Sequence, residues 1–198
     1  MWRIGVTGSI ATGKSTVLKA FSDLGVPVYS ADQAVADLYS TDAAAPVEAL
    51  FPGVTRNGVI DRGLLSEKLA ADPSGFKRLE AVVHPLVRAQ IARFLDDAEA
   101  SGQPLAVVEV PLLFESGYDY GFDAIAVTWV DEAIQRQRAL ARPAMSGDKL
   151  DTILARQMPQ ADKKTRATYL FDTGMPVEKT IAMVAALVAS IKARGPKS

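Results

Sequence analysis

The segment Gly8-Ser9-Ile10-Ala11-Thr12-Gly13-Lys14-Ser15 decides how this chain is interpreted. It follows a short apolar run at 4–6, which is typical of a buried parallel strand. Residues 15–24 then have the apolar spacing of a helix, which Gly25 would end. A glycine-containing turn between a strand and a helix, closed by Lys-Ser, is the pattern of a phosphate-binding loop, or P-loop.

Each residue type in this loop suits the binding of a nucleotide triphosphate. Gly8 and Gly13 allow backbone angles that side chains would block. The loop can then turn its N–H groups inward as an anion site, to which the helix adds its positive end. Lys14 is expected to reach the β- and γ-phosphates, and the Ser15 hydroxyl to ligate Mg²⁺. The predicted nucleotide-binding residues are Gly8, Ala11, Thr12, Gly13, Lys14, Ser15 and Thr16.

Strand and helix patterns alternate along most of the chain. Further strands are predicted at 26–29, 105–110, 124–130 and 168–171. Helices are predicted at 31–39, 61–71, 73–100, 132–142, 149–158, 162–167 and 177–193, and a loop or short helices at 42–57. This alternation predicts an α/β fold with a mostly parallel sheet that is covered on both faces. The consecutive helices in the first half predict a helical insertion.

Composition excludes several classes of site. The chain has no cysteine among its 198 residues, so disulfides, thiolate metal sites and cysteine nucleophiles are absent. A net charge of −1 argues against a protein that grips nucleic acid through a general basic excess. No secretory signal or apolar stretch of membrane-spanning length is visible, so we expect a cytoplasmic enzyme.

Two acidic residues follow predicted strands. Because ligands of open α/β sheets gather at the carboxyl ends of strands, Asp32 is a candidate to orient an acceptor hydroxyl and take its proton. Its alternative role is to cap the following helix. Glu109 is a candidate carboxylate for the metal, or alternatively a half-buried residue that pairs near the loop.

Basic residues occur in two later helices. His84 and Arg88 lie four apart in the helical insertion and could bind an anionic substrate together, although a lone histidine is often structural. Arg138 and Arg142 lie four apart on the helix predicted at 132–142. They could close over the triphosphate and neutralise charge during transfer, or simply form a solvated basic face.

Several segments together resemble the dephospho-coenzyme A kinases, a family of P-loop kinases. Residues 5–16 are similar to the family's opening, and Ser30-Ala31-Asp32 resembles its Asp-Ala-Asp motif. The most characteristic match is Val110-Pro111-Leu112-Leu113-Phe114-Glu115. The other matching segments are Leu79-Glu80, His84-Pro85-Leu86-Val87-Arg88, Gln135, Arg138, Arg142 and Gln157-Met158. Three positions depart from the family: Ser30 replaces the first aspartate of the Asp-Ala-Asp motif, Ile153 stands where an arginine is frequent, and Thr173 stands where an asparagine is usual.

The resemblance implies a reaction and assigns residues to it. ATP would phosphorylate the ribose 3′-hydroxyl of dephospho-coenzyme A (dephospho-CoA) to give CoA and ADP, the last step of CoA synthesis. By this analogy Asp32 becomes the base, and the acceptor-binding residues are Asp32, Arg62, His84 and Arg88. Together with the candidates taken from the residues themselves, the predicted catalytic residues are Asp32, Lys14, Arg138 and Arg142, and the predicted metal ligands are Ser15 and Glu109. The P-loop predicts Mg²⁺ as cofactor, and charge and hydropathy predict no nucleic acid or membrane partner.

The resemblance also implies an architecture. We expect a P-loop kinase three-layer sandwich with a five-stranded parallel sheet, a helical acceptor-binding insertion and a small helical lid. The expected ranges are 1–30, 103–137 and 159–198 for the core, about 31–102 for the insertion and about 138–158 for the lid. Oligomeric state is left open.

Two rival functions remain at this point. Another P-loop kinase could act on a nucleotide, a nucleoside or a shikimate-like acceptor, although the insertion and the 110–115 segment disfavour this. A GTP-dependent switch is the second rival, because Asp72-Pro73-Ser74-Gly75 fits the pattern Asp-x-x-Gly. A guanine-specific Asn-Lys-x-Asp motif is absent, since Asn57 is the sole asparagine.

Overall fold

The computed structural model describes residues 1–195, which divide into two compact units. Unit 1 consists of residues 1–29 together with the chain from Leu95 onward, and unit 2 is Ser30–Phe94. The sequence-based core range 159–198 ends at residues 196–198, which lie outside the described residues. Across residues 1–195, none of the helices has the length and apolar character that crossing a membrane requires.

The chain alternates between strands and helices in the following order. The elements are β1 (Trp2–Thr7), α1 (Lys14–Asp23), β2 (Val28–Ser30), α2 (Ala31–Leu38), α3 (Ala44–Leu50), β3 (Thr55–Arg56), β4 (Val59–Ile60), α4 (Arg62–Ala71), α5 (Gly75–Ala100), β5 (Leu105–Glu109), β6 (Ala124–Trp129), α6 (Glu132–Leu140), α7 (Gly147–Ala155), α8 (Gln160–Thr165), β7 (Tyr169–Asp172) and α9 (Val177–Arg194).

The central sheet has five strands in the order β2-β5-β1-β6-β7. β1 pairs in parallel with β5 on one side and with β6 on the other, and β6 pairs in parallel with β7. In this register Val6 stands opposite Glu109 and Thr7 stands opposite Val127. The prediction of an α/β fold with a five-stranded parallel sheet is confirmed.

The largest core of unit 1 lies between the sheet and two helices. Ile4 and Val6 lie two positions apart on β1 and therefore point to the same face, because successive strand residues alternate sides. There they join Phe21 of α1 and Val188 of α9 in one buried cluster. The central strands are buried almost throughout, which explains why they read as continuous apolar runs.

Unit 2 is helical apart from one small hairpin. β3 and β4 pair antiparallel across Asn57 and Gly58, whose φ angles of 52° and 79° are those of a tight hairpin turn. The expectation of only loop or short helices over 42–57 was therefore incomplete, since strand Thr55–Arg56 begins inside that range. The Asp-x-x-Gly tetrapeptide lies at the junction of α4 and α5, where Asp72 accepts hydrogen bonds from Ser74.

The helix predicted at 132–142 ends two residues earlier in the structure. α6 ends at Leu140 with Ala141 as its C-cap, so Arg142 lies just outside the helix that carries Arg138. Pro143 accounts for the early end, because a proline disfavours helical backbone angles in the residue before it. By contrast, α5 runs through Pro85 as one helix of 26 residues and carries both His84 and Arg88.

Candidate active site

The P-loop connects β1 to α1 and has the backbone shape of an anion site. Gly13 caps α1 in the left-handed conformation, with φ of 82°, and Ala11 is also left-handed, with φ of 60°. At Gly8 the requirement is space, because a Cβ would lie 2.7 Å from the Thr12 hydroxyl oxygen and 2.8 Å from the Thr128 carbonyl oxygen. The loop is therefore folded too tightly for side chains at both glycines.

Lys14 is the first residue of α1, and its side chain folds back over the loop. Its ammonium group donates hydrogen bonds to the carbonyl oxygens of Gly8, at 2.8 Å, and Ser9, at 3.2 Å. Ser15 is exposed in the same first turn, and Thr16 is half-buried. The turn contains no acidic residue that would oppose an anion at the positive end of the helix. The nucleotide-binding residues predicted from the sequence thus form the loop and the first turn of α1.

Two threonines, Thr128 near the end of β6 and Thr173 just after β7, form hydrogen bonds with Thr12 of this loop. The hydroxyl oxygens of Thr12 and Thr128 lie 2.8 Å apart, and both side chains are buried. The Thr173 hydroxyl, just after β7, donates to the Thr12 carbonyl oxygen at 2.9 Å. A Cβ at Gly13 would approach the Thr173 side chain to 2.9 Å. Thr173, which departs from the family pattern, is therefore packed directly against the P-loop.

The predicted catalytic arginines have different surroundings. Arg138 donates to the Thr173 carbonyl oxygen at 2.8 Å and to the Thr173 hydroxyl at 3.2 Å. Arg142 lies beyond the end of α6, and its exposed side chain makes no hydrogen bond or ion pair to residues 1–195. Arg138 thus reaches the P-loop through Thr173, whereas Arg142 is solvent-facing.

The predicted metal ligands offer hard oxygen atoms. Glu109 is the last residue of β5, half-buried, and its register opposite Val6 puts it at the end of the sheet where the P-loop begins. Ser15 contributes an exposed hydroxyl. No group of three or more acidic or histidine side chains suitable for a metal occurs in the described chain. Such a donor set fits Mg²⁺ only in the company of phosphate oxygens and water, as is usual for this ion.

Within unit 2, Asp32 lies in the first turn of α2. Ser30 is the N-cap of that helix, because its hydroxyl accepts a hydrogen bond from the Gln33 N–H at 3.0 Å. The Asp32 side chain is exposed and has no hydrogen-bond or ion-pair partner in the part of the chain that is described. The alternative in which Asp32 is the helix cap is therefore wrong.

The remaining predicted acceptor-binding residues also lie in unit 2. Arg62 begins α4 and is exposed, with its guanidinium carbon 5.6 Å from the centre of the Tyr39 ring. This side chain borders an apolar groove of about 330 Å³ that also includes Leu65 and Phe76. His84 is exposed and Arg88 is half-buried on α5. The roles of these three residues stay predictions.

The segment 110–115 ends in a buried ion pair. Glu115 Oε1 lies 2.7 Å from the Nζ of Lys163, which is fully buried, and it also accepts the Met158 N–H at 2.7 Å. Burial acts to raise the pKa of Glu115, but the hydrogen bonds from Lys163 and Met158 outweigh it, so the pKa lies below its ordinary value of 4.5. Through these two bonds Glu115, in the loop after β5, holds both α8 and the chain that follows α7.

Comparisons with known proteins match this architecture over nearly the whole chain. The model of the dephospho-CoA kinase family matches residues 2–177. This chain belongs to the dephospho-CoA kinase family. A dephospho-CoA kinase from Rhodopseudomonas palustris is 53% identical over 170 residues, which cover 86% of this chain and 85% of that protein.

Solved structures share the fold of this chain. TT1252 from Thermus thermophilus is similar, with a TM-score of 0.79, 32% identity and coverage of 96% of this chain and 97% of that chain. A dephospho-CoA kinase from Campylobacter jejuni has the same fold, with a TM-score of 0.70 at 22% identity over 96% of both chains. The family model and the curated relatives confirm the family resemblance and the prediction of a kinase, and the interpretation as a GTP-dependent switch is not supported.

The sequence alone did not predict the residues that hold the P-loop in place without being proposed to contact phosphate. The positions of Thr128 and Thr173 could have marked them as site residues, since polar residues at the ends of buried apolar strands usually face a site. Gln135 matches the family pattern, but the pattern alone gives it no role. It is 5% exposed, and a buried polar side chain needs partners.

Proposed function

We propose that this chain transfers the γ-phosphoryl group of ATP to the ribose 3′-hydroxyl of dephospho-CoA, giving CoA and ADP. The observation that carries the proposal is a fully formed P-loop in a chain of the dephospho-CoA kinase family. The bond from the γ-phosphorus to its bridging oxygen breaks as the bond to the 3′-oxygen forms. The hydroxyl proton leaves with a base on the enzyme.

The donor half of the reaction belongs to the P-loop. Lys14 moves from the carbonyls of Gly8 and Ser9 to the β- and γ-phosphates, because a charge-assisted bond to phosphate is stronger than one to a neutral carbonyl. The N–H groups at the start of α1 bind the same oxygens. Ser15 and Glu109 would hold Mg²⁺, which neutralises phosphate charge when it is bound.

The acceptor half is assigned to unit 2. Asp32 is the proposed base, because its carboxylate is exposed and has no structural duty in capping α2. Arg62, His84 and Arg88 are proposed to bind the acceptor, whose diphosphate suits guanidinium and imidazole donors. The functional division into core, acceptor insertion and lid is part of the same proposal.

Arg138 and Arg142 receive separate roles. Arg142 is proposed to contact the transferring group, since its exposed side chain is not committed to another residue. Arg138 makes two hydrogen bonds with Thr173 and is proposed to neutralise phosphate charge from that fixed position. The cytoplasmic location stays a prediction.

A coupled assay of ADP release tests the function directly. The purified protein is given ATP, Mg²⁺ and dephospho-CoA, and then adenosine, AMP or shikimate in place of the acceptor. We expect turnover with dephospho-CoA at least about 100-fold above that with the other acceptors. Only dephospho-CoA can make all of the contacts proposed for the acceptor, and such contacts determine substrate specificity. Equal or greater turnover with another acceptor would overturn the assignment of substrate.

The role of Asp32 is tested by Asp32→Asn, with Asp42→Asn as the control. Asp42 is exposed in unit 2 and has no interaction with residues 1–195. We expect kcat to fall by roughly 100-fold or more in Asp32→Asn, the range typical of general-base removal, while ATP affinity is retained. Turnover close to that of Asp42→Asn would contradict the base.

A further inference from the structure

The peptide groups on both sides of Ile10, at the tip of the P-loop, are held by glutamine side chains. The Ile10 N–H donates to Gln157 Oε1 at 2.9 Å, and the Ile10 carbonyl oxygen accepts from Gln135 Nε2 at 2.8 Å. These are side-chain bonds across more than a hundred residues of sequence. Two successive peptide planes are thereby fixed in a loop that has few backbone bonds of its own.

The first of these glutamines is itself held in place. Gln135 Oε1 accepts from Gln160 Nε2 at 2.8 Å, and Gln160 Oε1 accepts the N–H of Val130 at 3.1 Å. Gln135 is only 5% exposed on α6, so water competes little for the hydrogen bonds of its amide. The chain of bonds therefore runs from the end of β6 to the tip of the P-loop, and each amide has a defined orientation.

The bonds act next to a strained position. Ala11 follows Ile10 and has φ of 60°, a conformation that residues other than glycine seldom adopt. The peptide plane that Gln135 holds is the one that precedes the Ala11 nitrogen, so its rotation would change this φ directly. A small hydrophobic cluster adds to the restraint, since Ile10 and Ala11 pack with Leu150 of α7 and Ala139 of α6.

We infer that Gln135 and Gln157 are positioning residues that keep the tip of the P-loop in its phosphate-binding conformation. Neither needs to touch phosphate. Their amides fix the peptide planes ahead of Ala11, so that the following N–H groups face a common point and the strained backbone does not relax. This inference rests on the proposed triphosphate site, whose binding energy depends on preformed N–H donors.

The positions of the two glutamines also connect the loop with the predicted lid. Gln135 comes shortly before the range 138–158 and Gln157 is near its end, so both ends of that segment converge on Ile10. Met158, the next residue, is fixed separately by Glu115. A displacement of the lid segment that withdraws Gln157 would therefore release the Ile10 N–H and alter the phosphate site.

Isosteric replacement separates this role from general stability. Gln135→Met and Gln157→Met remove the hydrogen bonds but keep the length of the side chain. Gln157 borders a cavity of about 340 Å³, which leaves room for the thioether. The control is Gln137→Met on α6, the helix that carries Gln135. The Gln137 side chain is exposed and has no interaction with residues 1–195. Thermal unfolding is measured for all variants.

The decisive readout is the affinity for tripolyphosphate, measured by calorimetry, because this probe has no base and no acceptor part. We expect affinity to fall about fivefold to tenfold in Gln157→Met, as loss of one preorganising hydrogen bond suggests. The KM for ATP should rise by a similar factor, whereas the KM for dephospho-CoA at saturating ATP should change less than twofold. Gln137→Met should match the unmodified protein in all three.

The outcomes are distinguishable. Tripolyphosphate affinity within twofold of the unmodified protein in Gln157→Met would overturn the inference and leave the proposed function intact. An equal rise in both KM values would also overturn it, because that is the result of a general structural defect. Failure of the unmodified protein to bind tripolyphosphate would instead refute the triphosphate site itself. If Gln135→Met does not fold, Gln157→Met alone decides.

Discussion

The buried pair of Glu115 and Lys163 allows a quantitative prediction. Lys163 is 0% exposed and Glu115 is 15% exposed, with 2.7 Å between Nζ and Oε1. Removing one partner of such a pair costs about 3–5 kcal/mol, because the other charge is left in a site without solvent. For Glu115→Gln we expect about 3 kcal/mol, since the amide oxygen retains a weaker bond to the ammonium group.

Lys163→Met and the double variant with Glu115→Gln measure the coupling energy between the two charges. Lys163→Met leaves a carboxylate that still accepts the Met158 N–H and has some contact with solvent, so we expect a smaller loss, about 2 kcal/mol. The double variant should lose about 2 kcal/mol less than the sum of the single losses, because no charge remains buried alone. A loss of 3 kcal/mol corresponds to a fall in Tm of roughly 6–12 °C for a chain of this size.

The assay is urea denaturation at neutral pH, repeated at lower pH. The pKa of Glu115 is depressed in the folded state, so its stabilising contribution is present above its ordinary pKa of 4.5 and is lost as pH falls through the lower folded value. The difference between the unmodified protein and Glu115→Gln should therefore shrink below pH 4.5. Lys19→Met is the control, since Lys19 is 74% exposed in its pair with Asp23. A loss in Glu115→Gln no greater than in Lys19→Met would refute the reasoning.

Two further predictions concern the P-loop. Lys14→Ala should weaken ATP binding and lower kcat by at least about 100-fold, because the transferring phosphates lose a neighbouring positive charge. Radiometric kinetics with Lys19→Ala as control would measure this. An unchanged rate would contradict the proposed function of the loop. Gly13→Ala should lower stability by more than Gly25→Ala in thermal denaturation, and should also weaken ATP binding. Both residues are left-handed, but only a Cβ at Gly13 meets another residue, Thr173, at 2.9 Å. Equal losses would show that strain alone matters, at about 1–2 kcal/mol.

The sequence was sufficient for those parts of the fold that rest on local patterns. β1 and β5 are apolar runs buried on both faces, and the P-loop glycines mark the turn between β1 and α1. The early end of α6 also has a local cause in Pro143, although the predicted helix 132–142 ended two residues too late. The β3–β4 hairpin had a signal in Asn57-Gly58, but strands of two residues are too short for periodicity to reveal.

The support of the site depends on contacts that no local pattern contains. Thr173 reaches the P-loop from 161 residues away in the chain, and Gln157 from 147. Such pairs arise from strand order and helix packing, which place distant residues together without leaving a motif. Ser30 was a different case: its replacement of an aspartate was visible in the sequence, but its role as the cap of α2 emerged only from the bond to Gln33.

The capping of α2 by Ser30 has a practical consequence for crystallography. Because the helix start depends on Ser30 and not on Asp32, the carboxylate two residues later can be exchanged without loss of the capping bond. Asp32→Asn is thus expected to be a folded protein that binds ATP and dephospho-CoA together and consumes them at least roughly 100-fold more slowly. Crystals of that variant, soaked or grown with both substrates, would record the arrangement of donor and acceptor just before transfer.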